Sequence, residues 1–452
     1  MLRFIKKFIF EDYHRPSAKI LHFFVLFKKI FFNKKTNIFS ERMLLLKNPP
    51  QSMIYYNSFG RVICLFLNFL SIIFLNKFFD QAAELDFKEN INKEKKNSNA
   101  HVLSGNDNIS WPLQAIHNYE TYNKKIDDNF LNKIQNDYFE SVKIVLESGK
   151  FKDSDWWKKC REEFKDLFFN ENKINKNALE NFRNDVVTSA EILNDQNFLK
   201  KKNGERINKI KASLLINLYH KLSEQISLEV LRLTSDSKVG ENSCLSYRGQ
   251  RINQRVLRYA YYTSQILNNT DLKDDQKNLF LDIGGGYGGL TRLLKNVYQK
   301  SSFVIIELPE LCMLSVYFLK RNFADKKIGT LLDFKDKNKI FYDDLKHFDF
   351  VILPQNFMEK FDGEIFDLII NTTSLGEMTD EMQNYYLKHI ERVSKSYFYS
   401  VNRAKKRVEK YNSRGFYDFN FKSRWISKLY KYTHTYHIEF LGKKTKKEES
   451  IK

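Results

Sequence analysis

The sequence is poor in glycine, proline and cysteine, which number 16, 6 and 4 among its 452 residues. The four cysteines, Cys64, Cys160, Cys244 and Cys312, lie far apart, and none belongs to a C-x-x-C pair. That spacing excludes a zinc ribbon, a redox dithiol and a disulfide scaffold, so a reducing cytoplasm is the simplest expectation. His, Asp and Glu form no cluster with metal-ligand spacing either, and no metal is predicted.

Acidic residues are outnumbered, with 55 Asp and Glu against 75 Lys and Arg and a formal charge of +20. Residues 1–50 carry 11 basic and 3 acidic side chains, and residues 401–452 carry 15 and 5. Basic termini can contact nucleic acid or an anionic membrane. However, the abundance of Lys, Asn, Ile, Phe and Tyr is also typical of an A+T-rich genome. Composition therefore predicts no specific nucleic-acid partner.

The N-terminus has no apolar run of membrane-spanning length. Val62–Leu75 is about 14 residues long, whereas a span needs roughly 17–25. A small-residue cleavage site, which a secretory signal requires, does not follow it. We interpret residues 1–83 as basic, apolar helices that bind a partner or an interface. Peripheral membrane contact through residues 1–80 of a cytoplasmic protein is one hypothesis.

The remaining sequence changes character three times. Residues 84–110 are polar and predict a linker. Residues 111–250 predict a helical domain or lid, most clearly where apolar residues recur at spacings of three and four over 207–222. Residues 446–452 form a basic tail.

Between them, residues 251–445 alternate short strand-like runs with helical runs. This alternation predicts an α/β domain with a Rossmann-like, doubly wound, mostly parallel sheet, preceded by a mainly α-helical N-terminal region. One helix is predicted at Gly289–Tyr298. Strands are predicted at Leu279–Ile283, Phe303–Ile306, Phe350–Leu353, Phe366–Ile370, Tyr397–Val401 and Thr435–Leu441.

A concentration of glycines follows the first of these strands. Gly284, Gly286 and Gly289 match the dinucleotide fingerprint G-x-G-x-x-G. Together with Asp282 and Gly288, the same run matches D-x-G-x-G-x-G, the first motif of class I methyltransferases. Glycines there allow a sharp turn and the close approach of a ligand. On their own they leave a dinucleotide and a methyl donor as alternatives.

Two carboxylates separate these alternatives. Glu307 closes the next strand, where a carboxylate can accept the ribose hydroxyls of an adenosine, as in NAD enzymes. Asp282 precedes the first glycine and would repel a pyrophosphate at the helix start. S-adenosylmethionine carries an ammonium and a sulfonium instead of phosphates. We therefore predict S-adenosylmethionine as the cofactor.

The segment Asn371–Met378 follows the fourth strand, at the sheet edge where doubly wound folds bind ligands. Asn371 is predicted to contact the cofactor and Ser374 the substrate. Glu377 is the candidate general base, with the alternative that it caps the next helix or faces solvent. After the fifth strand, Asn402 and Arg403 could hydrogen-bond a polyhydroxylated acceptor.

At these residues the chain resembles a bacterial family of sugar O-methyltransferases within the class I S-adenosylmethionine-dependent superfamily. The resemblance covers about residues 180–445 and implies methyl transfer to a hydroxyl of a sugar or glycan, as in glycan biosynthesis. Glu377 would then remove the hydroxyl proton. The matching pieces are Leu281–Gly289, Ile306–Pro309, Asn371–Met378, Val401–Arg403, Val239–Gly240 and Tyr247–Gln250.

Two other functions stay open at this point. An NAD(P)-dependent sugar oxidoreductase or epimerase would need a proton relay such as Tyr-x-x-x-Lys, but Tyr386 is followed by Ile390 at the lysine position. A non-catalytic, methyltransferase-like protein would instead bind a membrane surface or RNA through its basic termini. Neither the oligomeric state nor the acceptor hydroxyl follows from the sequence.

Overall fold

The structure is a computed structural model, and the residues that it describes belong mainly to the second half of the chain. The predicted segments 1–83, 84–110 and 446–452 lie outside them, so peripheral membrane contact through residues 1–80 stays a hypothesis. Among the helices of the described part, none is long and apolar enough to cross a bilayer. The described residues are 127–151, 155–184, 219, 222, 226, 230–231, 233–240, 245–247, 250–404, 414–421, 425–432 and 437–445.

Helices and two short hairpins precede the main sheet. Asp127 caps the N-terminus of the first described helix, where its side chain accepts a hydrogen bond from Asn129 N at 3.0 Å, and left-handed Gly149 caps the C-terminus. Helices were predicted in this region, whereas the hairpins were not. The boundaries of the predicted helical domain remain predictions. The elements are α1 (Asp128–Ser148), α2 (Asp155–Phe168), β1 (Phe169–Asn170), β2 (Lys173–Ile174), α3 (Lys176–Glu180), β3 (Leu245–Tyr247), β4 (Gln250–Ile252) and α4 (Gln254–Asn269).

An eight-stranded sheet follows, in the order β11-β12-β10-β9-β5-β6-β8-β7. Its strands are β5 (Leu279–Ile283), β6 (Ser302–Glu307), β7 (Ile328–Gly329), β8 (Phe350–Pro354), β9 (Phe366–Thr372), β10 (Ser394–Arg403), β11 (Trp425–Tyr432) and β12 (His437–Lys444). Its helices are α5 (Gly289–Val297), α6 (Pro309–Asn322), α7 (Leu331–Phe334), α8 (Tyr342–Leu345) and α9 (Asp380–Val393). Strand β12 runs antiparallel to both of its neighbours, and the pairs from β10 to β7 are parallel. The predicted Rossmann-like, doubly wound, mostly parallel sheet is confirmed.

The central strands are buried on both faces. Because successive side chains point to opposite sides of a sheet, Phe280 and Phe303 pack in the same apolar cluster as helix α6. Their rings meet edge to face at a centroid distance of 4.9 Å. Leu281 and Val304 pack in the opposite cluster, with helix α9. The two apolar layers explain why these strands appear in the sequence as nearly continuous hydrophobic runs.

The strand order contains a topological switch between β5 and β9. From β5 the chain moves outward to β6 and the edge strand β7, comes back to β8, and returns to β9 on the other side of β5. Connections on the two sides leave in opposite directions there, which opens a crevice at the carboxyl ends of the strands. The glycine loop after β5, Glu307 at the end of β6 and the segment after β9 all lie at this crevice.

The region around α1 and α2 packs against the same edge of the sheet. Arg161 Nε donates to Glu310 Oε1 at 2.9 Å, at the start of α6. Lys150 Nζ lies 2.9 Å from Glu359 Oε1, just beyond β8. The ring of Phe151 meets that of Tyr385 edge to face at 5.4 Å. Lys150, Phe151 and Arg161 therefore lie on one wall beside the crevice.

Candidate functional site

The glycine loop is packed tightly onto the segment that follows β9. Gly284 has a φ of +69°, and a Cβ there would overlap the hydroxyl of Ser374. Gly284 N donates to Ile306 O at 2.9 Å, which holds the start of the loop against β6. Gly288 caps the N-terminus of helix α5. At position 284, therefore, both the backbone angle and the available space require glycine.

Gly286 lies half-buried at the turn of the loop, with a φ of +59° and open space where a Cβ would point. Its N–H donates to Glu307 Oε1 at 3.0 Å, and its carbonyl accepts from Ser315 Oγ at 2.6 Å. Strand β6 and helix α6 thus fix the middle of the loop. A ligand can approach the backbone there without meeting a side chain.

Asp282 lies buried beneath the loop. Its Oδ2 accepts a hydrogen bond from Thr291 Oγ1 at 2.8 Å. Its Oδ1 is buried and has no hydrogen-bond partner among the residues that the structure describes. Burial raises the pKa of this carboxyl to about 6, although the Thr291 hydroxyl opposes the shift. The charged form of Asp282 is therefore under-stabilised and would gain from a positive ligand.

Glu307 is also buried, and its two oxygens accept backbone hydrogen bonds. Oε1 accepts from Gly286 N at 3.0 Å, and Oε2 accepts from Leu308 N at 2.6 Å. Burial nevertheless raises the pKa of Glu307 to about 8, assisted by the nearby carboxylates of Asp282 and Glu310. Each oxygen keeps a second lone pair for a ligand hydroxyl. The predicted contact with a ribose stays a prediction, and Glu307 also holds the loop.

Asn371 lies at the junction of three strands and is fully buried. Its Nδ2 donates to Ile283 O at 2.8 Å and to Ser374 Oγ at 2.5 Å. Its Oδ1 accepts from Leu375 N at 3.3 Å and from Asn402 Nδ2 at 2.7 Å. All of its hydrogen-bonding capacity is used within the protein. The structure thus places Asn371 behind the loop, and its predicted cofactor contact is untested.

Asn402 lies behind the crevice as well, with no exposed surface. Besides Asn371, its Nδ2 donates to Ser400 Oγ at 2.8 Å, and its Oδ1 accepts from Gly376 N at 3.1 Å. Arg403, which ends β10, has backbone and Cβ atoms near the space beside Gly376. In this arrangement Asn402 supports the segment after β9, and neither residue lines the cleft. Their predicted contacts with an acceptor stay predictions.

The segment after β9 makes a strained turn before it reaches the cleft. Thr373 has a φ of +70°, unusual for a β-branched residue, and its N–H donates to Val401 O at 2.7 Å. Such strain often accompanies functional sites. Ser374 and Glu377 follow and are half-buried at the cleft, where Glu377 N donates to Ser374 O at 2.9 Å. The predicted substrate and base positions therefore face the same space.

That space is an open cleft of about 580 Å³, solvent included. Of the predicted site residues, it is lined by Gly284, Glu307, Ser374 and Glu377. Sequence reasoning missed the rest of its wall, which is largely aromatic and sulfur-containing. These additional residues are Phe151, Trp157, Ile306, Leu308, Gln355, Met378, Thr379, Met382 and Tyr386. The adjacent tryptophans at positions 156 and 157 are a sequence signal that could have indicated this wall. Within the described residues, no group of three His, Cys, Asp or Glu side chains could hold a metal ion.

Comparisons with known proteins give a likeness at the level of solved structures. No family model matches the sequence, and no curated protein does. A protein from Pyrococcus horikoshii OT3 is 13% identical, with 43% of this chain and 93% of that one covered and a TM-score of 0.31. A SAM-dependent methyltransferase from Aquifex aeolicus is 14% identical, with 40% and 89% covered and a TM-score of 0.27. Magnesium protoporphyrin IX methyltransferase from Synechocystis PCC 6803, with bound SAH, is 9% identical, with 43% and 89% covered and a TM-score of 0.28. Likenesses this weak support no inference about the cofactor or the substrate. Those inferences are drawn from the chain's own residues.

Proposed function

We propose that this protein is an S-adenosylmethionine-dependent O-methyltransferase that acts on a hydroxyl of a sugar or glycan. The observation that carries the proposal is a glycine loop at the topological switch with two buried carboxylates, Asp282 and Glu307, beside it. Oδ1 of Asp282 is buried without a partner among the described residues, and position 284 has no room for a Cβ. These residues fit the methyl donor.

The charge of the two carboxyls favours a cationic nucleoside over a dinucleotide. Burial raises the pKa of both, so a nearby cation would stabilise their ionised forms. At an effective dielectric constant of about 20, unit charges about 4 Å apart interact by about 4 kcal/mol. For an ammonium or a sulfonium that interaction is attractive, whereas for a pyrophosphate it is repulsive. The ribose hydroxyls of the nucleoside can donate to Glu307.

S-adenosylmethionine, when bound, supplies an activated methyl group. The chain's own part is to orient the acceptor oxygen, exclude water and accept a proton. Alignment of this kind can supply roughly 7–11 kcal/mol, and a general base adds about 10²–10⁴-fold in rate. We assign the proton to the carboxylate of Glu377 and the orientation of the acceptor to Ser374, since both line the cleft.

The lining of the cleft supports a sugar as acceptor. Trp157, which is half-buried, provides an aromatic surface on which the apolar face of a pyranose can lie. Gln355 and Thr379 provide polar groups beside it, suited to hydroxyls. The motifs that resemble sugar O-methyltransferases point to the same acceptor class.

Calorimetric titration and a transfer assay test the proposal together. We expect S-adenosylhomocysteine to bind the purified protein and NAD to give no heat. Radiolabelled S-adenosylmethionine should then methylate at least one member of a panel of free sugars and oligosaccharides. Binding of NAD with no binding of S-adenosylhomocysteine would support the oxidoreductase alternative and overturn the proposal. Transfer confined to lipids, proteins or aglycone metabolites would overturn the sugar acceptor alone.

A further inference from the structure

The glycine loop contains one large side chain, Tyr287, which turns away from the cleft. It is buried, and its ring lies edge to face with Phe182 at 5.5 Å and with Phe318 at 4.9 Å. Phe318 belongs to helix α6, whereas Phe182 belongs to the region that precedes the sheet. The loop is therefore held by a contact with a segment about 100 residues away in sequence.

Two guanidinium groups lie against the same ring. Arg183 Cζ is 5.2 Å from the centroid of the Tyr287 ring, and Arg255 Cζ is 5.6 Å from it. Both distances are within the range of cation–π attraction, which strengthens where the cation is desolvated. Arg183 is 1% exposed, so its contact is of the desolvated kind.

A buried network fixes the position of Arg183. Its Nη2 donates to Asp236 Oδ2 at 2.5 Å, and its Nη1 donates to the carbonyl of Ser237 at 3.0 Å. Asp236 also accepts from Asn253 Nδ2 at 2.5 Å. The guanidinium is therefore held at both edges and cannot leave the Tyr287 ring without breaking these bonds.

The turn at residues 236–240 packs the Arg183 network against the glycine loop. Gly240 has a φ of +78°, and a Cβ there would overlap the ring of Phe182. Arg183 N donates to Gly240 O at 2.8 Å. The backbone at Gly240 thus lies close to the backbone at residues 182–183, and this contact places Phe182 and Arg183 beside Tyr287.

We propose that Arg183 is a positioning residue for the donor site, acting through Tyr287. A buried ion pair is weak evidence for a stabilising role, since replacing such a pair by apolar side chains is often neutral or stabilising. A fixed guanidinium on the Tyr287 ring immobilises the residue between Gly286 and Gly288. The N–H of Gly286 is then held towards Glu307 before any ligand arrives, which reduces the ordering cost of binding.

The inference rests on the proposed function for the identity of the ligand, but its first test needs no ligand. Arg183→Met should speed amide hydrogen exchange in the peptide that covers 284–290, with exchange in strand β8 unchanged. Its affinity for S-adenosylhomocysteine should fall on the order of 10-fold, the size of one desolvated cation–π contact. Arg255→Met, a milder change at the same ring, should shift both readouts in the same direction.

Lys295→Met is the matched control. Lys295 is also buried, pairs with Asp349 at 2.7 Å and lies 5.7 Å from the ring centroid of Phe350, but it is at the far end of α5. The Lys295→Met variant should have a lower melting temperature, while amide hydrogen exchange in the glycine loop and the affinity for S-adenosylhomocysteine should keep their wild-type values. A purely structural role for Arg183 would make the two variants behave alike.

The outcomes separate the two proposals. If wild-type protein binds no S-adenosylhomocysteine, the proposed function fails, while loop exchange in the variants still decides the role of Arg183. If Arg183→Met does not fold, Arg255→Met gives the same two readouts. Wild-type loop exchange and affinity in the folded variants would overturn the positioning role.

Discussion

At alkaline pH, Glu307→Gln should make the ligand-free protein more resistant to heat than wild type, by a margin that grows as the pH rises. The pKa of the Glu307 carboxyl is raised from an ordinary 4.5 to about 8, chiefly by burial. A raised acid pKa means that the folded state holds its proton more tightly than the unfolded chain. The contribution of the Glu307 carboxyl to folding stability is therefore fully present below about pH 4.5 and is lost as the pH rises towards about 8. Glutamine is neutral at every pH, so the variant does not lose stability in this way.

The size of the effect follows from the same shift. Each unit of pKa corresponds to about 1.4 kcal/mol, so the loss is on the order of a few kcal/mol by pH 8.5. At roughly 2–4 °C per kcal/mol, the melting temperature of the variant should gain on the order of 10 °C relative to wild type between pH 5.5 and 8.5. At pH 5.5 the two should be similar, or the variant slightly lower, because an amide nitrogen cannot accept from both Gly286 N and Leu308 N.

Differential scanning fluorimetry over that pH range, without ligand, measures the difference directly. Glu310→Gln is the control, since Glu310 is also buried but forms an ion pair with Arg161 at 2.9 Å. Its loss should lower the melting temperature across the range. A Glu307→Gln curve parallel to wild type at every pH would refute the reasoning. The same variant should bind S-adenosylhomocysteine at least 10-fold more weakly, because it loses a charge beside the donor.

Three further substitutions test other parts of the site. Gly284→Ala should abolish detectable donor binding in calorimetry, since its Cβ overlaps Ser374, and retained affinity would contradict the loop geometry. Glu377→Gln should keep donor affinity and lower the rate of methyl transfer about 10²-fold or more, and an unchanged rate would remove it as the base. Asn402→Ala should lower stability by about 1–3 kcal/mol in urea denaturation, because the N–H of Gly376 loses its acceptor, and a neutral result would contradict its supporting role.

The sheet and the glycine loop could be predicted because their signals are local. Strand β5 is a short apolar run that ends in glycines, and Glu307 ends the next such run. Strand β11 was not predicted, since it lies at the sheet edge and its residues from Ile426 to Lys428 are exposed and partly polar. Edge strands bury less surface and so carry a weaker hydrophobic pattern.

The remainder of the site depends on contacts between distant parts of the chain. Phe151 and Trp157 reach the cleft because α1 and α2 pack on the sheet edge, which no local pattern encodes. Asn402 was predicted to hydrogen-bond an acceptor, and that contact stays a prediction. The parallel register of β10 beside β9 brings it next to Asn371, and both side chains form internal hydrogen bonds there. The sequence can thus predict that polar residues at the ends of strands gather at the crevice. It cannot predict which of them face the ligand.

The central claim is that the two buried carboxyls make the loop a site for a cationic nucleoside. Calorimetric titration with S-adenosylmethionine at pH 7, in two buffers with different heats of ionisation, tests it most directly. The pKa of Glu307 is about 8, so most of this carboxyl is protonated before binding, and a cation would displace the proton. We predict binding with net release of protons to the buffer, and less release in Glu307→Gln. Binding with proton uptake, or preferential binding of NAD, would contradict the account.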